Sequence, residues 1–320
     1  MTAFTFPDRL KSPGAAVVVL CLASLQAAAT FAQPAGVTNS ITQGAQADRA
    51  IEQARDRLLQ GTALDSDPGQ DPGIYVLVRQ DIFSVGLDVG VGYTSEVDKG
   101  SLRDTESTYT SMQFDIGADT RIANSFNAGV RLTVAETLYH DEDGFDSGAL
   151  IGSIYVSETF FDDTLIVTAD VTGGLNGGYD FDDHSAYVNT SIRAARPIPL
   201  TNSIVFVPSI SVSNVFSEQG EQNRWEYGAQ ARLAARLDED LRLTVGAGVT
   251  YSDYDNFFED VLFVSRRDTT AYASLGLEYM IDENVRAFAN VRYTNRTSTL
   301  DIVEYEETDA SISIGLSARF

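Results

Sequence analysis

The sequence predicts an all-β chain, a transmembrane, antiparallel, up-and-down β-barrel of about twelve strands preceded by a short periplasmic helix. Three observations predict it. Ala15 to Ala29 is a small and apolar run behind the basic residues Arg9 and Lys11, the pattern of a secretory signal. No long apolar run follows, so any membrane crossing must use a closed sheet whose backbone groups satisfy one another. From Asp81 onward, apolar and polar residues alternate with period two.

The signal is expected to span residues 1–32, with cleavage after Ala29 or Ala32. The single cysteine, Cys21, lies inside it. The mature chain is therefore expected to carry no thiol, no disulfide and no cysteine-based metal site. A net charge of −24 argues against nucleic acid as a partner.

Residues 33–73 have a different character. Gln43 to Gln60 is rich in helix formers, and Ala47, Ile51, Ala54 and Leu58 share one helical face. Gly61 ends that segment, and Asp65 to Gly73 reads as a turn-rich linker. The helix has three readings: lying in the periplasm near the barrel mouth, plugging the lumen, or contacting a partner.

The barrel is assigned to residues 74–320. Its first strand sets Phe83, Val85, Leu87, Val89, Val91 and Tyr93 against Ser84, Gly86, Asp88, Gly90, Gly92 and Thr94. Such a strand has lipid on one side and a wet lumen on the other. The pattern recurs in 108–118, 126–134, 165–171, 186–194, 204–212, 225–237, 241–251, 269–279, 285–293 and 310–320. Residues 150–156 are less regular, because Ile151 and Tyr155 share the opposite face. Short connections (121–125, 161–163, 196–202, 238–240, 281–284) alternate with longer acidic ones (95–106, 140–147, 173–184, 217–223, 252–267, 295–307). That alternation fits short periplasmic turns, long outer loops and two periplasmic termini. Tyr93, Tyr251, Tyr293, Trp225 and Tyr227 form an expected outer aromatic girdle, with Tyr279 and Phe320 toward the other interface. A soluble β-sandwich would have shorter strands without aromatic ends.

The C-terminal segments add a resemblance. Arg267, Asp268 and Thr269 open a strand, and Tyr279 to Asn284 form a turn. Asn295 to Thr297, Tyr305, Ile314–Gly315–Leu316 and Arg319–Phe320 follow. This arrangement resembles the outer-membrane group known as beta-barrel porin 2. Thr299 follows Ser298 where that group's pattern has Asn, and the chain is shorter than expected for the group. The resemblance implies an outer-membrane channel, in some relatives linked to exopolysaccharide export. Phe320 also fits the terminal signal that the barrel-assembly machinery recognises.

Catalysis is not expected. A barrel hydrolase needs a base beside a nucleophile. His184 and Ser185 are strand neighbours and point to opposite faces. His140 opens an acidic loop. No cofactor is called for, and no acidic loop shows a defined metal-ligand spacing. The acidic loops read as a solvated surface that also biases the mouth toward cations.

The chemical signal lies on the lumen face. Strand parity turns Arg131, Arg193, Arg232, Arg242, Arg286, Arg292 and Arg319 inward, with Asp88, Asp115, Asp119, Asp170, Glu226 and Glu278. A charge on the lipid face at mid-depth costs about 2–4 kcal/mol, which makes inward placement close to obligatory. Two readings stand: ion pairs stiffening the wall, or a charged constriction filtering solutes. Asp88, Asp115, Arg131, Asp170 and Arg292 are the constriction candidates. The function expected is a diffusion or polymer-export channel, with an occluded structural barrel as the alternative. The expected partners are outer-membrane lipid, lipopolysaccharide, the barrel-assembly machinery, and small solutes or polysaccharide.

Overall fold

The computed structural model describes residues 83–97, 106–123, 126–141, 145–161, 164–177, 185–218, 222–255 and 265–320. The expected signal, the 43–60 helix and the linker lie outside the described residues.

The chain forms strands β1 (Phe83–Thr94), β2 (Ser107–Ala123), β3 (Phe126–Tyr139), β4 (Ser147–Phe160), β5 (Leu165–Gly177), β6 (Ser185–Ala195), β7 (Ile198–Thr201), β8 (Ile204–Ser217), β9 (Arg224–Arg236), β10 (Leu241–Tyr254), β11 (Arg267–Met280), β12 (Val285–Ser298) and β13 (Tyr305–Arg319). Apart from the short β7, which lies in line with β6 along β8, each pairs antiparallel with its neighbours in the wall. The sheet closes where β1 meets β13, from Ser84↔Arg319 to Thr94↔Asp309. Closure leaves no unpaired edge along the long wall strands, as a sheet in lipid requires; only the short β7 pairs on one side alone.

The expected short turn at 196–202 is corrected. It contains β7, which continues the pairing of β6 with β8 in one register, Ala195↔Ser209 followed by Ile198↔Phe206. Arg196 donates its backbone N–H to Pro208 O at 3.0 Å, while Pro197 has no N–H to give. Segments β6 and β7 are therefore one wall strand interrupted at a proline, and the wall has twelve strands.

The outer face follows from the sequence alternation. Val91, Ile154, Ile210, Leu275 and Ile312 are between 51% and 65% exposed, as lipid contact needs and water would penalise. In β4, Leu150 and Ile154 face out while Ile151 and Ser153 are buried inward, so the irregular segment keeps its parity and carries an apolar residue inside. Trp225, Tyr227, Tyr251 and Tyr293 are exposed near the loop-bearing ends of their strands, and the Tyr227 and Tyr251 rings sit 6.4 Å apart. Phe83 and Phe320 stack at the opposite end, here termed the terminal rim.

The strands are longer than the apolar alternation. β2 covers 17 residues although its alternation spans 108–118. A tilted strand needs about 9–11 residues to cross hydrocarbon. Beyond that depth the hydrogen-bond ladder continues with polar side chains outside. At the terminal rim the turns are tight: Asp282 Oδ1 accepts the backbone N–H of Asn284 at 2.8 Å and of Val285 at 2.9 Å. Asp238 Oδ1 accepts that of Glu239 at 2.8 Å. Such side-chain-to-backbone bonds are why Asp recurs in turns.

Candidate functional site: the barrel lumen

The inward face has three sides of different chemistry. Carboxylates lie on β13, β1 and β2: Glu307, Asp309, Asp88, Asp115 and Asp119. Arginines lie on β9 to β12, interleaved with the carboxylates Glu226, Asp268 and Glu278: Arg224, Arg232, Arg242, Arg286, Arg292 and Arg296. Between them, β4 to β8 present mostly hydroxyl and apolar groups, among them Ser153, Tyr187, Asn189, Val205, Ser209 and Val215, all buried, with Asp170 and Arg193 as charged exceptions.

The sequence candidates fall into separate groups. Asp88 lies opposite Gly315, Asp115 opposite Gly86, and Arg131 opposite Gly117, on three consecutive strands. Asp115 is almost fully buried. Asp170 on β5 accepts from Ser191 Oγ and, at 3.5 Å, from Thr172 Oγ1. Arg193, Glu226 and Tyr272 line one recess with Ser191, Ser211, Ser213, Gln230 and Thr250. Glu226 is held by Arg224 Nε at 2.7 Å and by Ser213 Oγ at 3.2 Å. Arg232 lies opposite Val207 and Gly246. Glu278 pairs with Arg286 Nη1 at 3.3 Å. Arg292 donates from Nε to Thr294 Oγ1 at 3.3 Å, and its Cζ lies 4.3 Å from the centre of the Tyr272 ring. Arg319 is paired at the seam with Ser84.

Two features escaped the sequence reading. The first is a set of tyrosines on the lumen side, each in register with a glycine on the next strand: Tyr109 with Gly92, Tyr155 with Gly129, Tyr187 with Gly174 and Tyr272 with Gly248. A Cβ on Gly248 would stand 2.6 Å from Tyr272 Cε1, so the ring lies across the space a side chain would take. These inward glycines therefore do not widen the lumen; tyrosine rings cover them. Three of the rings are also fixed by hydrogen bonds. Tyr109 donates to Asp309 at 2.7 Å, Tyr272 donates to Gln230 Oε1 at 2.8 Å, and Tyr155 donates to Asp119. Half of the signal was present in the sequence, tyrosine at polar parity; the facing glycine is set by the register.

The second is a brace near the loop-bearing rim. Asp268, fully buried, accepts from Arg266 Nε at 3.0 Å and Nη2 at 2.7 Å, and from Ser298 Oγ at 2.6 Å. Arg296 Nε lies 3.7 Å from the same carboxylate. The Tyr254 ring has Arg266 at 4.3 Å and Arg224 at 5.4 Å. Two bonds to a guanidinium hold a carboxylate in one orientation as well as in place. Arg266 is the residue that engages Asp268; Arg267 meets Asp253 at 3.3 Å in an exposed pair.

His140 is exposed, its Nδ1 3.2 Å from Thr108 Oγ1 and its Nε2 3.0 Å from Thr110 Oγ1. His184 lies outside the described residues. Among the described residues, no three His, Cys, Asp or Glu side chains gather as a metal site.

Solved structures share the architecture. An outer membrane channel from Pseudomonas putida F1 is 12% identical, with a TM-score of 0.52, covering 78% of this chain and 100% of that one. The NanC porin is 9% identical (TM-score 0.44, covering 72% and 98%), and the β domain of the Bordetella autotransporter BrkA is 12% identical (TM-score 0.45, covering 73% and 99%). No protein of curated function matches in sequence. Residues 132–320 match the family described as the outer membrane protein beta-barrel domain. That stretch is more than half of the chain, and the chain belongs to this outer-membrane β-barrel family.

Proposed function

We propose that this protein is a porin-like outer-membrane channel that passes small polar solutes through its lumen. The observation that carries the reading is the two-faced wall. Large apolar residues are exposed outside, while carboxylates, arginines and hydroxyls gather inside. A twelve-strand barrel is also wider than the eight-strand kind that side chains fill. The P. putida channel of similar fold supports the reading at the level of architecture alone. In this reading the terminal rim is periplasmic, the lumen charges filter solutes, and kinship with the beta-barrel porin 2 group would extend the cargo to exopolysaccharide. No covalent chemistry is assigned.

Proteoliposome swelling tests it. Vesicles carrying the folded protein should swell in isotonic arabinose and more slowly in raffinose. Vesicles that behave like protein-free ones in both solutes would overturn the channel.

A second reading, a structural or surface-interaction barrel with a closed lumen, is favoured by one observation. Ala195, Val205 and Val207 form a buried apolar cluster on the lumen side near the terminal rim, where an open aqueous path would leave them wet.

A further inference from the structure

The lumen arginines are not equivalent. Arg224 is held by Glu226 at 2.7 Å, Arg266 by Asp268 at 2.7 Å, Arg286 by Glu278 at 3.3 Å, and Arg296 lies 3.7 Å from Asp268. Arg292 has no such partner among the described residues: its guanidinium makes one hydrogen bond to a neutral hydroxyl, Thr294 Oγ1. The carboxylate opposite it in register, Asp309, accepts from Tyr109 at 2.7 Å. A guanidinium carries five N–H donors and cannot shed its charge at physiological pH, so most of the donor capacity of Arg292 is left for another acceptor.

The position of Arg292 fits a ligand. It lies midway along β12, and its guanidinium carbon sits 4.3 Å from the centre of the Tyr272 ring, within cation–π range. Tyr272 is also one wall of the recess between β6, β8, β9, β10 and β11. The rest of that wall is rich in hydroxyls and includes an amide and a second guanidinium: Ser191, Ser211, Ser213, Thr250, Gln230 and Arg193. Tyr272 fixes Gln230 through its Oε1, which leaves the amide NH₂ as a donor toward the recess. The one carboxylate on the wall, Glu226, is already neutralised by Arg224.

We propose that Arg292 and this recess form a binding site for small hydroxylated carboxylates, the chemistry of a sugar acid. The guanidinium takes the carboxylate through two parallel N–H bonds, and the serines, Thr250 and Gln230 take the hydroxyls. The net negative charge of the chain would by itself favour cations, so an anion preference at the recess would come from Arg292 together with Arg193 on its wall. The inference rests on the channel reading insofar as solutes must reach the recess.

Calorimetric titration of the folded protein in detergent, with glucuronate, glucose and acetate as probes, tests it. Glucuronate should bind at least ten-fold more tightly than either of the others, each of which supplies half of the chemistry. Arg292→Gln should weaken glucuronate binding at least ten-fold. Arg292→Lys, which keeps charge but loses the planar fork, should fall between. Thr250→Val, which leaves the arginine untouched, should weaken glucuronate while leaving acetate unchanged. Equal binding of glucuronate and glucose, or unchanged glucuronate binding in Arg292→Gln, would overturn the site. Single-channel current separates the two claims. Conductance without glucuronate binding sinks the site alone, and binding without conductance sinks the channel alone.

Discussion

Phe83 and Phe320 exchange both backbone hydrogen bonds at 3.0 Å, and their rings stack with centroids 6.1 Å apart. The first described residue of the wall and the last residue of the chain are thus joined directly at the terminal rim. The seam they begin runs up β1 and β13 and converts an open sheet into a barrel. Truncating Phe320 to Ala keeps the backbone exchange and removes the stack, so the folded barrel should lose about 1 kcal/mol. Adding a proline in its place, Phe320→Pro, removes the N–H donor as well and should lower the folded fraction further. Urea titration of the refolded protein in liposomes reads both.

The lipid-facing parity gives a sharper contrast. Leu275 and Ser274 are neighbours at mid-strand in β11, one facing out and one facing in. Leu275→Arg should destabilise the barrel by about 2–4 kcal/mol. Ser274→Asp should cost much less, because its charge enters a polar lumen directly opposite Arg292. Equal costs in the same urea titration would contradict the assignment of the two faces.

Asp268 should behave as the anchor of the loop-end brace. Asp268→Ala leaves Arg266 and Arg296 without their carboxylate in a buried setting and should cost about 3 kcal/mol or more. Asp268→Asn keeps the acceptor oxygen for Arg266 and should cost less. The expected order, wild type above Asn above Ala, is read from unfolding midpoints.

Gly248 should resist enlargement because the Tyr272 ring occupies the space where its side chain would stand. Gly248→Val forces that ring into the lumen at a cost of about 1–3 kcal/mol. In a conducting barrel the displaced ring should also reduce single-channel current. Pairing the change with Tyr272→Ala should recover most of the stability that Gly248→Val loses.

Much of the wall was legible in the sequence because lipid and lumen impose opposite solvents on alternate residues. Twelve strand segments could be placed by parity, and even β4 kept its phase. The strand ends were not legible: in β2 the hydrogen-bond ladder outlasts the apolar alternation, since only the hydrocarbon slab enforces that alternation. The β6–β7 interruption was hidden because Pro197 has the sequence signature of a turn, although the register on β8 passes through it unchanged. Inside the lumen, parity could say which charges point inward but not which ones meet. Glu278 and Arg286 are eight positions apart in sequence, and their ion pair depends on the register of two strands. Strand parity put Arg266, and not Arg267, on the face of Asp268, but only the register could bring Ser298 and Arg296 to the same carboxylate. The Tyr–Gly pairs needed the same cross-strand register to become visible.

Single-channel recording in a planar lipid bilayer tests the central claim most directly. The refolded protein should give discrete conductance steps, and Arg292→Gln should shift the reversal potential in a salt gradient toward cation preference. A correctly folded barrel that stays silent at every applied voltage would contradict the channel and leave the closed, structural barrel as the account of this protein.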